Sequence, residues 1–319
     1  MRKINSYDQT GILPVINIPK ASLAVPVAEA LRRGGVNSIE VVLRSPDSLE
    51  SLANIKAAFP DMTVGAGTVL TAEMADHAVS SGADFLVSPG YDDELVAHCV
   101  RAGIMIVPGC GNATEIQKAI KHGIQVVKFF PAEKSGGIEA IRLLSGPFPG
   151  VKFIPTGGMN FGNIGKYLTN KQIIACGGSY MATKEQIENR DFEAITNACK
   201  RAVDISLGFE LAHIGINCCG EEQAIRCAEG ISKMFRMQPR YMNSAVFAGN
   251  CVEAVKSDGI GTYGHIGFYT NSIDRAIAYF DAMNIPLNED GYKYNDKGEL
   301  ICVYLKDEIC GFALHAVQR

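Results

Sequence analysis

The chain has 319 residues, 47% of them hydrophobic and 20% charged, with a formal net charge of −4. That length suits two domains better than one core, and the mildly acidic balance gives no reason to expect nucleic acid or an anionic membrane as partner. No apolar run approaches the roughly 18 residues of a membrane span, and residues 1–10 lack the apolar segment of a secretion signal, so a cytoplasmic protein with reduced thiols is expected for the ten cysteines.

Residues 12–18 form an apolar run, followed by Pro19. Residues 21–33 carry helical spacing, with Leu23, Val27, Ala30 and Leu31 on one face, and Gly34-Gly35 stops the helix. The unit then recurs. A helical stretch, a glycine stop and a short apolar strand repeat at Gly82 before Phe85, at Gly103 before Met105 and at Gly123 before Gln125. The interval is roughly 20 residues, the span of a short strand, a helix and two tight loops. Strands are predicted at 12–17, 38–43, 63–66, 85–87, 105–107, 125–130, 152–155 and 173–176. Strands that alternate with helices predict a parallel sheet, and about eight such units over residues 1–207 favour a closed (β/α)8 TIM barrel. An open doubly wound sheet is the alternative, but no Gly-x-Gly-x-x-Gly follows the first strand.

In such a barrel the chemistry sits just after each strand. Glu40 and Arg44 come from the second strand, Gly67-Thr68 from the third, Ser88-Pro89-Gly90 from the fourth and Pro108-Gly109 from the fifth. Lys128, Phe130 and Pro131 come from the sixth, Thr156-Gly157-Gly158 from the seventh and Gly177-Gly178-Ser179 from the eighth. Lys128 stands out because, with Gln125, it interrupts the apolar run from Ile124 to Phe130, and a lysine is seldom fully buried unless paired. Either it snorkels out at the strand end, or its amine is the reactive group. Glu40 and Arg44 interrupt a second apolar run, either as a structural ion pair or as substrate groups. Desolvation in an apolar mouth disfavours an ammonium. The neutral amine attacks a ketone to give a Schiff base, and the protonated imine is a sink for the electrons of a breaking carbon–carbon bond. Glu40 is the carboxylate for proton transfer, and Arg44 can clamp a substrate carboxylate. The two late glycine loops suit phosphate. These residues predict a lysine-dependent aldolase for a phosphorylated 2-keto acid.

The runs Ile39-Glu40-Val41-Val42-Leu43-Arg44, Gly65-Ala66-Gly67-Thr68-Val69, Ser88-Pro89-Gly90, Val127-Lys128-Phe129-Phe130-Pro131-Ala132-Glu133, Pro155-Thr156-Gly157-Gly158 and Gly177-Gly178-Ser179 together resemble the 2-keto-3-deoxy-6-phosphogluconate / 4-hydroxy-2-oxoglutarate aldolase family. The resemblance implies class I chemistry with no metal or cofactor, Lys128 as the imine lysine and Glu40 as the proton shuttle. It implies Arg44 and Thr68 at the keto-acid carboxylate, Pro89 and Phe130 packing the pocket, and Thr156 near a substrate hydroxyl. Gly157, Gly158, Gly178 and Ser179 would hold phosphate. It further implies a homotrimer of the Entner–Doudoroff pathway that yields pyruvate and glyceraldehyde 3-phosphate. Alternative substrates are 4-hydroxy-2-oxoglutarate and the galactonate epimer. A ligand-binding regulatory protein on a retired barrel is a reading of a different class. Two departures from the family pattern, Cys110-Gly111-Asn112-Ala113 after the fifth strand and Val42 in the second, bear on substrate range.

The last third differs in composition, holding Cys218, Cys219, Cys227, Cys251, Cys302 and Cys310 with His213, His265 and His315. Strands are predicted at 210–217, 241–248, 251–255, 264–269, 301–305 and 311–317, and helices at 221–235 and 272–283. This is an internal repeat of roughly 50 residues, two βαβββ modules forming an α+β domain over 209–319. It resembles the vicinal-oxygen-chelate, or glyoxalase-like, fold. The resemblance implies a divalent metal between the modules, with His213, Glu253 and His265 at ligand positions. The fourth position is expected at about Ala313, which cannot ligate, with His315 two residues on and able to share that strand face. A binding or oligomerisation role is the alternative for this domain.

Overall fold

A computed structural model describes residues 9–319, and the chain divides into two compact units between Ser206 and Leu207. In the first unit, β1 (Ile12–Ile16), β2 (Ser38–Val42), β3 (Thr63–Gly67), β4 (Phe85–Val87), β5 (Ile106–Val107), β6 (Val126–Phe129), β7 (Lys152–Pro155) and β8 (Cys176–Gly178) alternate with helices. Their pairings are parallel. Six strands lie in the order β5-β4-β3-β2-β1-β8, and β6 and β7 form a second ladder. Bridges from Gly109 to Lys128 and from Thr156 to Gly177 join the two arcs, so the eight strands curl into a ring, the expected barrel.

Strand alternation sorts the apolar residues into two layers. Leu13, Phe85, Val87, Val107 and Ile154 form the inner cluster. Ile39, Val41, Val64, Leu86, Val127 and Phe129 belong to the larger cluster under the helices. Strands buried on both faces give the near-continuous apolar runs seen in the sequence, and each fully buried Leu, Ile, Val or Phe contributes about 1.5–3 kcal/mol. With Ile39 and Val41 facing out on β2, Glu40 faces in. With Val127 and Phe129 facing out on β6, Lys128 faces in.

The helices start where local chemistry allows. Thr71, Asp92 and Asn112 accept hydrogen bonds from the backbone N–H three residues on, satisfying an orphan donor. The first helix begins at Ala24, after a 3-10 turn over Ala21–Leu23, rather than at residue 21. That start leaves Pro26 in the first turn, where its missing N–H costs nothing. The recurrent stops Gly82, Gly103 and Gly123 all take positive φ, the left-handed conformation that ends a helix most easily with glycine.

The last barrel strand starts three residues and ends two residues beyond its prediction. Residues 176–178 pair with β1 as Ile12 to Cys176, Leu13 to Gly177 and Pro14 to Gly178, while Ile173 makes only an isolated bridge to Phe153. Glycines read as loop therefore belong to the strand. A Cβ on Gly177 would stand 2.4 Å from Thr156 Oγ1, and such close approach is one reason glycine sits inside strands.

The second unit is one eight-stranded sheet in the order β10-β11-β12-β9-β13-β16-β15-β14. Its strands are β9 (Glu210–Asn217), β10 (Pro239–Tyr241), β11 (Ala245–Ala248), β12 (Val252–Val255), β13 (Gly264–Thr270), β14 (Leu287–Tyr294), β15 (Leu300–Leu305) and β16 (Phe312–Gln318), with helices Glu221–Phe235 and Ile273–Ala282. Each half reads βαβββ, and the strand order of one half mirrors the other. Two boundaries differ from expectation. Residues 241–248 are two strands, because Met242 donates to the Ala245 carbonyl in a tight turn. Strand β14 was not predicted, since Asn288-Glu289-Asp290-Gly291 reads as loop. It is an edge strand with an irregular register, and polar, irregular edges protect a sheet from further pairing. Among the described residues no helix is long and apolar enough to cross a membrane.

Candidate active site

Inside the barrel, Lys128 Nζ donates to Glu40 Oε1 at 3.0 Å, and the two side chains are only 8% and 2% exposed. The lysine does not snorkel. Glu40 pairs with Lys128 and not with Arg44, which makes no ion pair among the described residues. Close packing holds the carboxylate in place: a Cβ on Gly67 of the neighbouring strand would stand 2.2 Å from Glu40 Oε1. Lys128 is fixed through its backbone as well, with its N–H on the Pro108 carbonyl and its carbonyl accepting from Cys110 N–H.

Lys128 Nζ also lies 5.6 Å from the centroid of the Phe130 ring, within cation–π range. Phe130 lines a cavity of about 410 Å³ whose wall includes Arg44, Thr156, Gly157, Gly158, Gly178 and Ser179. The arginine and both glycine loops expected at the mouth therefore do meet there. Thr68 and Pro89 are not on that wall. Thr68 follows Gly67 at the end of β3 with φ of 62°, a left-handed conformation that is costly for a β-branched residue. The Pro89 carbonyl backs onto Gly109, where a Cβ would stand 2.2 Å from it.

Two lining residues, Asn17 and Lys184, were not singled out from the sequence. Asn17 is the polar residue within the first apolar run. Lys184 follows Thr183, which forms a capping box with Gln186. The signal was the Thr-x-x-Gln spacing just after the last glycine loop, a helix start that places Lys184 at the edge of the cavity, its ammonium 3.7 Å from Glu188 Oε1. Of the two departures, Val42 lines the cavity. Cys110 instead sits in the outer core, with its thiol pushed up to about 12 by burial and, next, by Glu115. Asn112 caps the helix Ala113–Lys121, which accounts for its presence without any role at the mouth.

The second unit has a polar centre of its own. His213 Nε2 lies 3.1 Å from His265 Nε2 and 3.3 Å from His315 Nε2. Glu253 Oε2 lies 3.2 Å from His265 Nε2 and 3.3 Å from His213 Nε2. All four sequence candidates thus converge. The fourth position requires a correction. Glu253 pairs with Gly215, two residues after His213, and His315 pairs with Gly267, two residues after His265. His315 is therefore the second-module counterpart of Glu253, whereas Ala313 pairs with His265 itself. A two-residue slip keeps the same strand face, so face alternation could not separate the two positions.

The three imidazoles fit a divalent ion, their ligand nitrogens all lying within 4.8 Å of one another, while Glu253 stands against His213 and His265. Nitrogens and oxygens about 2.0–2.1 Å from a tetrahedral metal stand roughly 3.4 Å apart, close to the spacing seen, and imidazole with carboxylate suits zinc, nickel or iron. Glycines make room for it: a Cβ on Gly215 would lie 2.1 Å from His265 Cε1, and one on Gly267 would lie 2.5 Å from His315 Nε2 and 2.7 Å from His213 Cε1. Cys302 Sγ sits 3.1 Å from His315 Nδ1, which leaves Nε2 as the nitrogen turned to the cluster. Burial lowers the His213 pKa against the pull of Glu253, and pushes His315 down to about 3, helped by His213, His265 and Lys293. Burial alone would raise Glu253, but the hydrogen bond with His265 and the neighbouring charges hold it below the usual carboxylate range.

The family model described as KDPG and KHG aldolase matches residues 4–198, within the first unit. Over 200 residues the chain is 40% identical to a 2-dehydro-3-deoxy-phosphogluconate aldolase of Treponema pallidum, covering 63% of this chain and 95% of that protein. It is 36% identical over 193 residues to the KHG/KDPG aldolase of Escherichia coli, covering 60% and 91%. A KDPG aldolase of Legionella pneumophila, solved with pyruvate captured as a covalent carbinolamine intermediate, superposes with a TM-score of 0.61 at 36% identity over 63% of this chain and 99% of that one. An aldolase of Zymomonas mobilis solved with 3-phosphoglycerate gives a TM-score of 0.59 at 38% identity over 64% and 97%.

The depressed histidines of the second unit predict an acid dependence in metal-free protein. An unfolded histidine titrates near 6.5, while folded His315 stays neutral to about 3. Its contribution is therefore full above pH 6.5 and is lost as the pH falls toward 3, where only the unfolded chain gains the proton. Between pH 7 and 4.5, urea unfolding of the full chain in chelator should show His315→Gln losing less stability than wild type, by up to about 2.5 kcal/mol. Equal losses in the two proteins would mean that His315 is not held neutral.

Proposed function

The chain belongs to the KDPG and KHG aldolase family, and we propose that its barrel cleaves 2-keto-3-deoxy-6-phosphogluconate to pyruvate and glyceraldehyde 3-phosphate through an imine on Lys128. The observation that carries this reading is the buried Lys128–Glu40 pair beside a cavity rimmed by two glycine loops. As the free amine, Lys128 attacks C2 of the keto acid to form a carbinolamine, which loses water to give the iminium. Glu40 relays the protons of these steps. It then takes the proton of the C4 hydroxyl as the C3–C4 bond breaks. The electrons of that bond move into the iminium, leaving an aldehyde and an enamine. Protonation at C3 and hydrolysis release pyruvate and restore the amine.

Around this centre, Arg44 and Thr68 are assigned to the substrate carboxylate, Pro89 and Phe130 to the pocket wall, and Thr156 to a substrate hydroxyl. Gly157, Gly158, Gly178 and Ser179 are assigned to phosphate. The relative solved with 3-phosphoglycerate supports the phosphate assignment. A homotrimer in the cytoplasm is part of the same reading, and sedimentation of the purified chain checks the assembly. Wild-type protein should cleave the phosphorylated keto acid. Glu40→Gln should lower kcat about 10²–10⁴-fold, the usual worth of general acid–base catalysis, and Lys128→Ala should abolish turnover. Equal kcat/KM for phosphorylated and unphosphorylated substrates would contradict the phosphate assignment.

A second reading concerns the other unit, a glyoxalase-like domain over residues 209–319. The convergence of His213, Glu253, His265 and His315 supports a divalent metal held by these four side chains, which when bound would supply Lewis-acid chemistry there. Protein purified without added metal should carry about one equivalent of a transition metal, and His213→Ala should lose it. Metal-free wild-type protein that also fails to take up zinc on titration would contradict this reading.

A further inference from the structure

The metal cluster lies in a patterned row of side chains on one face of the second sheet. Residues directly opposite one another in paired antiparallel strands share a face. Phe247 lies opposite Glu253, and its ring is 6.4 Å from that of His213. Tyr304 lies opposite His315 and stacks on it, at 4.7 Å between ring centroids and 21° between planes. Each aromatic in turn carries a cation. Arg240, opposite Phe247, places its guanidinium 4.6 Å from the Phe247 centroid. Lys293 on β14, opposite Cys302, places its ammonium 5.5 Å from the Tyr304 centroid. The two modules thus supply the same order from opposite sides: cation, aromatic, ligand cluster, aromatic, cation.

Neither Arg240 nor Lys293 has a carboxylate partner among the described residues. With neutral imidazoles, as metal binding requires, a divalent ion and one glutamate leave the centre with one positive charge. The flanking cations add two more. An anion at this face would meet that excess directly, whereas a neutral ligand would leave it uncompensated. The ammonium and guanidinium rest on aromatic faces, where they are held over the trough but keep donors free for a carboxylate.

Resting on the reading that the cluster holds a divalent metal, we propose that this trough binds a small carboxylate anion at the metal, with Lys293 as its principal counter-charge and Arg240 as its counterpart on the other side. Lys293 ranks first because its aromatic support stacks directly on a cluster imidazole, while Phe247 stands further from His213. Both act on the bound anion and neither is needed to hold the metal.

The test uses the full chain, stripped with chelator and reloaded with Co(II), whose visible absorption reports the coordination environment. The probes are glycolate, a carboxylate with an adjacent hydroxyl and no ketone to react with the barrel lysine, and glycolamide, its neutral counterpart. Glycolate should shift the cobalt bands saturably and glycolamide should bind at least tenfold more weakly. Lys293→Met should weaken glycolate at least tenfold and Arg240→Met severalfold, with Co(II) affinity kept within about twofold and aldolase turnover unchanged as a check on folding. If Co(II) binds and Lys293→Met binds glycolate as wild type does, or if glycolamide binds equally well, the proposal is overturned while the metal reading stands. If wild-type protein shows no cobalt spectrum, the metal reading falls and this proposal falls with it.

Discussion

A lysine and a glutamate facing each other inside a closed barrel impose the main constraint on the first unit. Taking two charges out of water costs several kcal/mol per ion, and their attraction offsets that cost only with good geometry. The 3.0 Å contact supplies the geometry. It exists only because β2 and β6, 88 residues apart in sequence, are brought face to face by closure of the ring. Residues around the pair are small where they must be, as Gly67 is against Glu40. Losing either partner would leave an uncompensated buried charge, which is a severe defect for stability and not only for chemistry. A lysine in this environment needs a charged partner, and the neighbouring carboxylate supplies it while placing a proton-accepting group 3.0 Å from the amine.

The second unit solves a related problem with different groups. Three imidazoles and a carboxylate crowd together on four central strands, again with glycines where a side chain would collide. Buried polar groups need partners, and hydrogen bonds between the groups meet that need only in part, since neighbouring imidazole nitrogens must alternate as donor and acceptor. A metal would satisfy the three imidazoles at once. The repeat explains how the set arises: each βαβββ module contributes one ligand from its first strand and one from its last, and the central β9–β13 pairing brings the two sets together.

Much of this was legible in the sequence because strands buried on both faces leave continuous apolar runs, and because polar residues interrupting those runs mark the site. Glu40, Arg44 and Lys128 were visible for that reason. The choice between Arg44 and Lys128 as partner of Glu40 was not visible, since it depends on which residues face inward across the ring. Glycines have two uses that composition cannot separate, and Gly178 proved to be both strand and rim. Register was the other blind spot. Ala313 and His315 share a face, and only the pairing of His315 with Gly267 identifies the histidine as the counterpart of Glu253. Strand β14 was hidden by its polar edge character, and with it the position of Lys293 beside Tyr304.

The central claim is that the amine of Lys128 forms the covalent bond to substrate. Borohydride reduction of the full chain in the presence of pyruvate, followed by peptide mapping, tests it most directly. The account predicts a carboxyethyl group on Lys128 and no labelling of Lys128→Ala. Absence of any adduct, or an adduct on another lysine that persists in Lys128→Ala, would contradict it.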